Sequence, residues 1–417
     1  MDSLTNLLTR SEFHKQAADI INSGKKGAAF VWLNLDNFKM FNSRFGFNHG
    51  DKLLQEIANA LAVIFPNDLI ARFNDDNFVI LTDWTTAETN IENIQGYIYA
   101  IHQNITLRLR AGIYLPLTGA KNEDVRISCD RAKLACDSIR KNHSVSSCMF
   151  HEGMSKELAL QQYILDNLDY AINNGYIKTL YQPIVNLSSG RICEVEALAR
   201  WNSPEHGFIA PSDFIPTLEQ YREIQKIDIH SLKQVCRDYQ IRHDSGLKVL
   251  PVSINLSRLD FELCDIYIET EKILASCNIP PEMIRIEITE SANEDDTALL
   301  NLGIEKFRAS GHEIWMDDFG TGYSSLNVLK DYNFDTVKFD MEFLNGFDIN
   351  KSDKAKYIIS SSLSMARLMG MKALAEGVET SEQLEYLTSI GFDMAQGYYF
   401  GKPMTLDEIF TLERSAQ

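Results

Sequence analysis

The chain has 417 residues, 45% of them hydrophobic, and a formal net charge of −18. That length suits two or three domains with separate cores, and no apolar run approaches the roughly 20 residues a membrane-spanning helix requires. The N-terminus MDSLTNLLTR lacks the charged-then-apolar pattern of a signal peptide, so a cytoplasmic location is expected. The cysteines at 129, 136, 148, 193, 236, 264 and 277 are odd in number, dispersed and never spaced CxxC, which argues against a disulfide framework or a structural zinc site. Acidity is one-sided: residues 1–150 carry 16 Lys+Arg and 16 Asp+Glu, the remainder 24 and 42. Such a surface disfavours phosphate-led binding of a nucleic-acid polymer. A small anion approaches it only where cations overcome the field.

In chain order, Asp2-Ser3-Leu4-Thr5 offers a cap for a short helix, and Gly27 to Leu35 reads as a buried strand. Gly50 to Phe65 has Leu53, Leu54, Ile57, Leu61 and Ile64 at helical spacing. Leu69 to Phe73 and Phe78 to Thr82 read as strands flanking the turn Asn74-Asp75-Asp76-Asn77. Ile105 to Leu115 predicts a further strand and Asp124 to Lys141 a helix. With DSLTNLLTRSEF, LDNFKMFN before FGFNHGD, and ARFNDDNFVIL, this stretch resembles the GGDEF domain of diguanylate cyclases. The resemblance implies a ferredoxin-like, nucleotidyl-cyclase-type α+β domain over residues 1–153.

The signature turn departs from that family. Both glycines and the last acid are replaced in Asn74-Asp75-Asp76-Asn77-Phe78, and Asn34 stands where the family has its first metal aspartate. Glycines let a backbone approach phosphates closely, whereas Asp75 sets a carboxylate where a triphosphate would lie. The inhibitory RxxD motif is represented by Phe65-Pro66-Asn67-Asp68, without its arginine. Asp36 and Asp76 remain, and Asn42 and Asp51 match the family's guanine-contacting pair, although both are also ordinary helix-capping residue types. Asn42, Asp51 and Asp76 therefore read as a vestigial GTP site, without cyclase activity and open to a regulatory role.

Met154 to Asn173 has Leu158, Leu160, Ile164, Leu168 and Ala171 at helical intervals before Gly175. It is expected to be a helical connector, either transmitting domain orientation or simply packed onto the C-terminal domain. Apolar runs then end repeatedly in polar residues: Glu196, Asn255, Glu287, Asp317 with Asp318, Lys338 and Glu376. Seven strands are predicted, Ile177 to Val185, Ile192 to Trp201, Leu250 to Leu256, Met283 to Thr289, Glu313 to Asp317, Thr336 to Asp340 and Lys372 to Glu376. Polar groups collected from successive strand ends describe the mouth of a TIM-type (β/α) barrel.

YQPIV at 181–185, Glu196-Ala197-Leu198, DDFGTGYSSL from Asp317, AEGVET and Gln396-Gly397-Tyr398 resemble the EAL family of cyclic di-GMP phosphodiesterases, assigned here to residues 174–417. By that resemblance Glu196, Asn255, Glu287 and Asp317 hold one divalent ion. Asp317, Asp318 and, directly or through water, Glu376 serve the second. Oxygen-only ligands select magnesium or manganese. Two such ions about 3.5 to 4 Å apart share and acidify a water for in-line attack on phosphorus. Lys338, 21 residues after Asp317, would hold that water or the developing charge, and Arg200 would grip a phosphate. Gln182 and Gln396 would contact nucleotide or fix neighbouring ligands, and Glu290 and Glu379 would support a loop. The implied reaction is hydrolysis of cyclic di-GMP to linear pGpG, with homodimer formation through the EAL domain compatible with the family. The rival reading is a cyclic di-GMP receptor without catalysis. Ser203 and the stretch Leu218 to Ile224 depart from the family pattern, outside the implied metal set.

Overall fold

The computed structural model describes residues 1–101, 107–116, 123–140, 142, 144–289, 297–320, 329, 332–340 and 353–415. They form two compact units, Met1–Leu160 and Gln161–Gln417, with the helix Glu152–Asn173 running through the boundary.

The first unit holds strands β1 (Ala28–Leu35), β2 (Leu69–Asn74), β3 (Asn77–Asp83), β4 (Leu109–Tyr114) and β5 (Ser147–Met149), in the sheet order β2-β3-β1-β4-β5. Central β1 alternates its side chains between two cores, as a pleat requires. Ala29, Val31, Leu33 and Leu35 join Leu53, Ile57 and Leu61 of the helix Phe47–Ile64, and Ala28, Phe30 and Trp32 join Phe13, Ala17, Cys129 and Ala132. The N-terminus corrects one expectation. Asp2 Oδ1 accepts from the Thr5 N–H at 2.9 Å and the Thr5 hydroxyl at 2.7 Å in a turn, and the helix begins only at Arg10, capped by Thr9 and Glu12 in a reciprocal capping box.

The second unit is an eight-stranded closed barrel with one strand appended. Its members are β6 (Ile177–Asn186), β7 (Arg191–Ser203), the appended β8 (Gly207–Ile209), β9 (Val252–Leu256), β10 (Ile284–Thr289), β11 (Glu313–Phe319), β12 (Thr336–Phe339), β13 (Lys372–Ala375) and β14 (Met394–Gln396). Neighbours from β7 through β9 to β14 are parallel, but β6 is antiparallel to both β7 and β14. The plain strand-helix repetition expected at the first strand thus gives way to a hairpin, and β14 supplies an eighth strand beyond the seven predicted.

Alternation again sorts the side chains. Val195, Ile254, Ile286, Ile314, Val337, Ala373 and Ala395 join the large core shared with the surrounding helices. The opposite-parity residues fill the barrel in layers. Glu194, Arg285, Glu313 and Lys372 make an ion-pair network at one end, with Arg285 Nε 3.1 Å from Glu194 and 3.4 Å from Glu313. Ile184, Trp315, Leu374 and Met394 form an apolar plug above it. Two residues beyond Trp315, Leu374 and Met394 come Asp317, Glu376 and Gln396, and two beyond Glu194 and Arg285 come Glu196 and Glu287. A dry plug under a polar layer keeps water from entering from below, so charges above it interact at low effective dielectric.

Candidate active site

Lys338 on β12 is 1% exposed and lies at the centre of the polar layer. Its Nζ is 2.8 Å from Glu287 Oε2, 2.8 Å from Asp317 Oδ1, 2.9 Å from Glu376 Oε1 and 3.5 Å from Glu196 Oε1. Three strands, β7, β10 and β11, and the residue after β13 deliver these carboxylates. Glu196 is held from both sides, Asn255 Nδ2 donating to Oε1 at 2.9 Å and Gln396 Nε2 to Oε2 at 2.6 Å. Gln396 owes its place to Gly397. A Cβ there would lie 2.2 Å from both the N and O of Val378, so only glycine lets the two segments close on each other.

Asp318 needs a second local device. Successive residues of a regular strand point to opposite faces, so Asp317 and Asp318 should not share a site. The β11–β12 register shifts between Met316 and Phe319, and Asp318 adopts φ 56°, in the left-handed region that Asp tolerates better than most residues. The irregularity turns both carboxylates the same way. Ligand oxygens of Asp317, Asp318 and Glu376 all lie within 4.8 Å of one another, a span suited to one cation.

The electrostatics follow from burial and a shortage of positive charge. Burial pushes Glu287 well above the ordinary carboxylate range, reinforced by Glu196 and Asp317 and opposed by Lys338. Burial lifts Glu376 to about 8 against the pull of Lys338, and lifts Asp318 to about 6 with the charge of Asp317 adding to it. Glu196 goes the other way: burial opposes its charge, but Lys338, Gln396 and Asn255 together outweigh that and leave it lowered. Burial also works against the Lys338 ammonium, yet Asp317, Glu196, Glu287 and Glu376 hold its pKa well above the usual lysine value.

The remaining sequence-predicted residues divide. Gln182, on β6, donates to the Gly401 carbonyl at 3.3 Å. Arg200 is half-buried on β7, donates to the Ala199 carbonyl at 2.8 Å and has no ion-pair partner among the described residues. Glu379 is exposed ahead of the helix Ser381–Ile390 and is not brought into the cluster. Glu290 and residues 321–328 of the loop after Asp318 lie outside the described residues.

In the first unit, Asn34, Asp76 and Asn77 do converge: Asn34 Nδ2 donates to Asp76 Oδ2 and to Asn77 Oδ1, each at 3.1 Å. The residue that sequence reasoning missed is Arg110 on β4, only 2% exposed. It donates to Asn34 Oδ1 at 2.6 Å, Asp36 Oδ1 at 2.5 Å and the Cys136 carbonyl at 2.6 Å. Arg108 adds a second cation 3.5 Å from Asp36 Oδ2, so positive charge is supplied to this acidic corner from within. Burial raises the Asp76 pKa, and Asp75 adds to it. Asn42 is not a cap. It sits inside the helix Phe38–Phe45, its buried Oδ1 in the notch left by Gly50 without a hydrogen-bond partner among the described residues, while Asp51 is exposed on the next helix.

Residues 165–403 match the EAL domain family, and residues 1–135 match the family described as diguanylate cyclase, GGDEF domain. The bifunctional diguanylate cyclase/cyclic di-GMP phosphodiesterase MucR of Pseudomonas aeruginosa is 31% identical over 98% of this chain and 61% of its own length. The cyclic di-GMP phosphodiesterase NbdA of the same organism is 30% identical over 97% of this chain and 53% of its own. The chain therefore spans between half and two thirds of these relatives. The solved PaMucR phosphodiesterase in complex with c-di-GMP aligns with 59% of this chain and 99% of that chain, at 33% identity and a TM-score of 0.55. Among the described residues, no helix is long and apolar enough to cross a membrane.

Proposed function

The chain belongs to the EAL domain family and carries a GGDEF domain ahead of it, and from that premise we propose that the barrel mouth hydrolyses cyclic di-GMP to linear pGpG with divalent metal ions. One observation carries the reading: five carboxylates, Glu196, Glu287, Asp317, Asp318 and Glu376, gather around a single ammonium, Lys338. If all ionise, four negative charges remain uncompensated, which two divalent cations would match. Glu287 Oε1, buried with no hydrogen-bond partner among the described residues, is a ligand atom in waiting. Glu196, Asn255, Glu287 and Asp317 would hold one ion, and Asp317, Asp318 and Glu376 the other, with magnesium or manganese favoured by the all-oxygen set. Ions held there supply Lewis acidity, lowering the pKa of water and offsetting charge at phosphorus.

The protein's own groups do the rest. Lys338, fixed by its carboxylate ring, orients the attacking water and meets charge developing on the phosphoryl oxygens. Asn255 and Gln396 keep Glu196 ionised and aligned. Arg200, with N–H groups to spare, grips a non-bridging phosphate oxygen, and Gln182 lines the nucleotide's path. The GGDEF unit makes no cyclic di-GMP, because Asn34 replaces a carboxylate ligand, Arg110 and Arg108 already pair with Asp36, and Asn74-Asp75 replaces the glycine cradle. Any GTP it binds acts as a regulator.

Incubation with cyclic di-GMP and magnesium or manganese, followed by chromatography, is expected to show pGpG. Unchanged nucleotide with measurable binding would establish the receptor reading instead.

A further inference from the structure

Asp228 and Asp260 lie beneath the end of β9, outside the cluster around Lys338. The Ser257 N–H, two residues beyond Asn255, donates to Asp260 Oδ2 at 2.9 Å and, more weakly, to Asp228 Oδ2 at 3.4 Å. The Ser257 hydroxyl donates to Glu219 Oε1 at 2.8 Å. Three carboxyl groups from three segments thus converge on one residue: Glu219 from the helix Pro211–Gln220, Asp228 from the helix Gln225–Asp244, and Asp260 from the short helix Asp260–Leu263 after β9. Asp260 is 0% exposed, and neither it nor Asp228 has an ion-pair partner among the described residues. The nearby Arg222 is taken by Glu262 at 3.0 Å. The remaining titratable neighbour, Cys264, donates its thiol to the Asp260 carbonyl. Asp260 Oδ1 is buried with no hydrogen-bond partner among the described residues, and because the two Oδ2 atoms accept from one N–H the carboxyls lie side by side. Two carboxyls can bond to each other only if one of them is protonated.

We propose that Asp228 and Asp260 share one proton and, as a hydrogen-bonded acid pair, are positioning residues that fix the end of β9 and hence Asn255. The role in catalysis rests on the barrel reading above; the shared proton does not. Burial, with Asp260 adding to it, pushes Asp228 well above the ordinary carboxylate range, and burial lifts Asp260 to about 6, so the pair titrates as a unit. Both shifts are upward. The pair's stabilisation is complete below the unfolded pKa of about 3.9 and declines as pH rises through the folded values.

The test is Asp228→Asn, whose amide donates to Asp260 without needing a proton, beside Asp228→Ala, in the full chain. Melting is followed from about pH 5 to 8.5, and hydrolysis of cyclic di-GMP with magnesium at neutral pH. Asp228→Asn should melt at or above wild type at the alkaline end, with the margin closing towards pH 5, and should keep hydrolysis within about threefold. Asp228→Ala should lose about tenfold or more. A constant deficit for Asp228→Asn at every pH overturns the shared proton. Wild-type hydrolysis in Asp228→Ala overturns the positioning role. If the wild type itself leaves cyclic di-GMP intact, the functional reading falls while the melting comparison still decides the proton.

Discussion

The barrel mouth and the hairpin corner of the GGDEF unit both gather acids at strand ends, and both contain one buried cation, yet they balance charge differently. Lys338 faces four carboxylates within 3.5 Å, with Asp318 beside them, whereas Arg110 faces an amide, a carboxylate and a backbone carbonyl. Arg108 also reaches Asp36, at 3.5 Å, so the first site is left short of positive charge while the second has two arginines beside Asp36 and Asp76. The acidic count alone therefore does not predict metal binding. What matters is whether the protein has already supplied the counter-charge, and with a planar, fully engaged guanidinium it has.

Removing each cation in turn tests this contrast most severely. Lys338→Met should abolish hydrolysis, by about a thousandfold or more, and should destabilise the EDTA-treated protein by about 3–5 kcal/mol, because buried carboxylates lose their partner. Arg110→Met should destabilise the GGDEF unit by a comparable amount while leaving hydrolysis near wild type, as read by two-probe melting and product chromatography. Loss of hydrolysis in Arg110→Met would merge the two sites functionally and end the distinction.

Next in size is Glu196→Ala, which removes an oxygen ligand but little core volume. Turnover should vanish with the melting profile retained, and full activity would sink the metal assignment. EDTA should stop the wild type in the same way, manganese or magnesium restoring it and calcium doing so poorly because its coordination is longer and looser.

A third expectation concerns pH. In EDTA, the upward shifts of Glu287, Glu376 and Asp318 mean that the folded barrel binds more protons than the unfolded chain, whose carboxylates titrate near 4. Stability should therefore be highest below about pH 4 for these groups and fall as pH rises towards 8. Magnesium should reverse the fall, its stabilising effect growing with pH. A melting temperature in EDTA that climbs from pH 5 to 8 would contradict the charge imbalance.

The smallest effect belongs to GTP. Titrated against hydrolysis at up to millimolar concentration, it should change the rate by a few fold at most, and Asp51→Ala should remove that change. A flat titration would leave the GGDEF unit as a structural module.

Much of this architecture was legible because strand ends announce themselves: IRIEIT places Arg285 and Glu287 on one face and three isoleucines on the other. Other features were not read. β14 is three residues long, too short for a periodic signal. The reversal of β6 did leave a trace, since four residues separate it from β7, and a parallel crossover needs a dozen or more. Arg110 left none, because an arginine among Leu107, Leu109 and Ala111 looks like the solvent side of a half-exposed strand. The turn of Asp318 into the left-handed region was equally invisible, since two adjacent acids carry no sign of the irregularity that makes them point together.

The hydrogen bond from Gln396 to Glu196 joins residues 200 positions apart, and β6 lies between β7 and β14. During synthesis, the sheet of the GGDEF unit can assemble once β5 has left the ribosome, since its partners all precede residue 150. The barrel cannot close until β14 arrives, and until then β6 and β13 are open sheet edges and Glu196 lacks its bond from Gln396. We therefore expect hydrolytic competence to be among the last properties the chain acquires as it emerges. Stalled chains ending before Met394 should show a protease-resistant front unit and a barrel still open to cleavage.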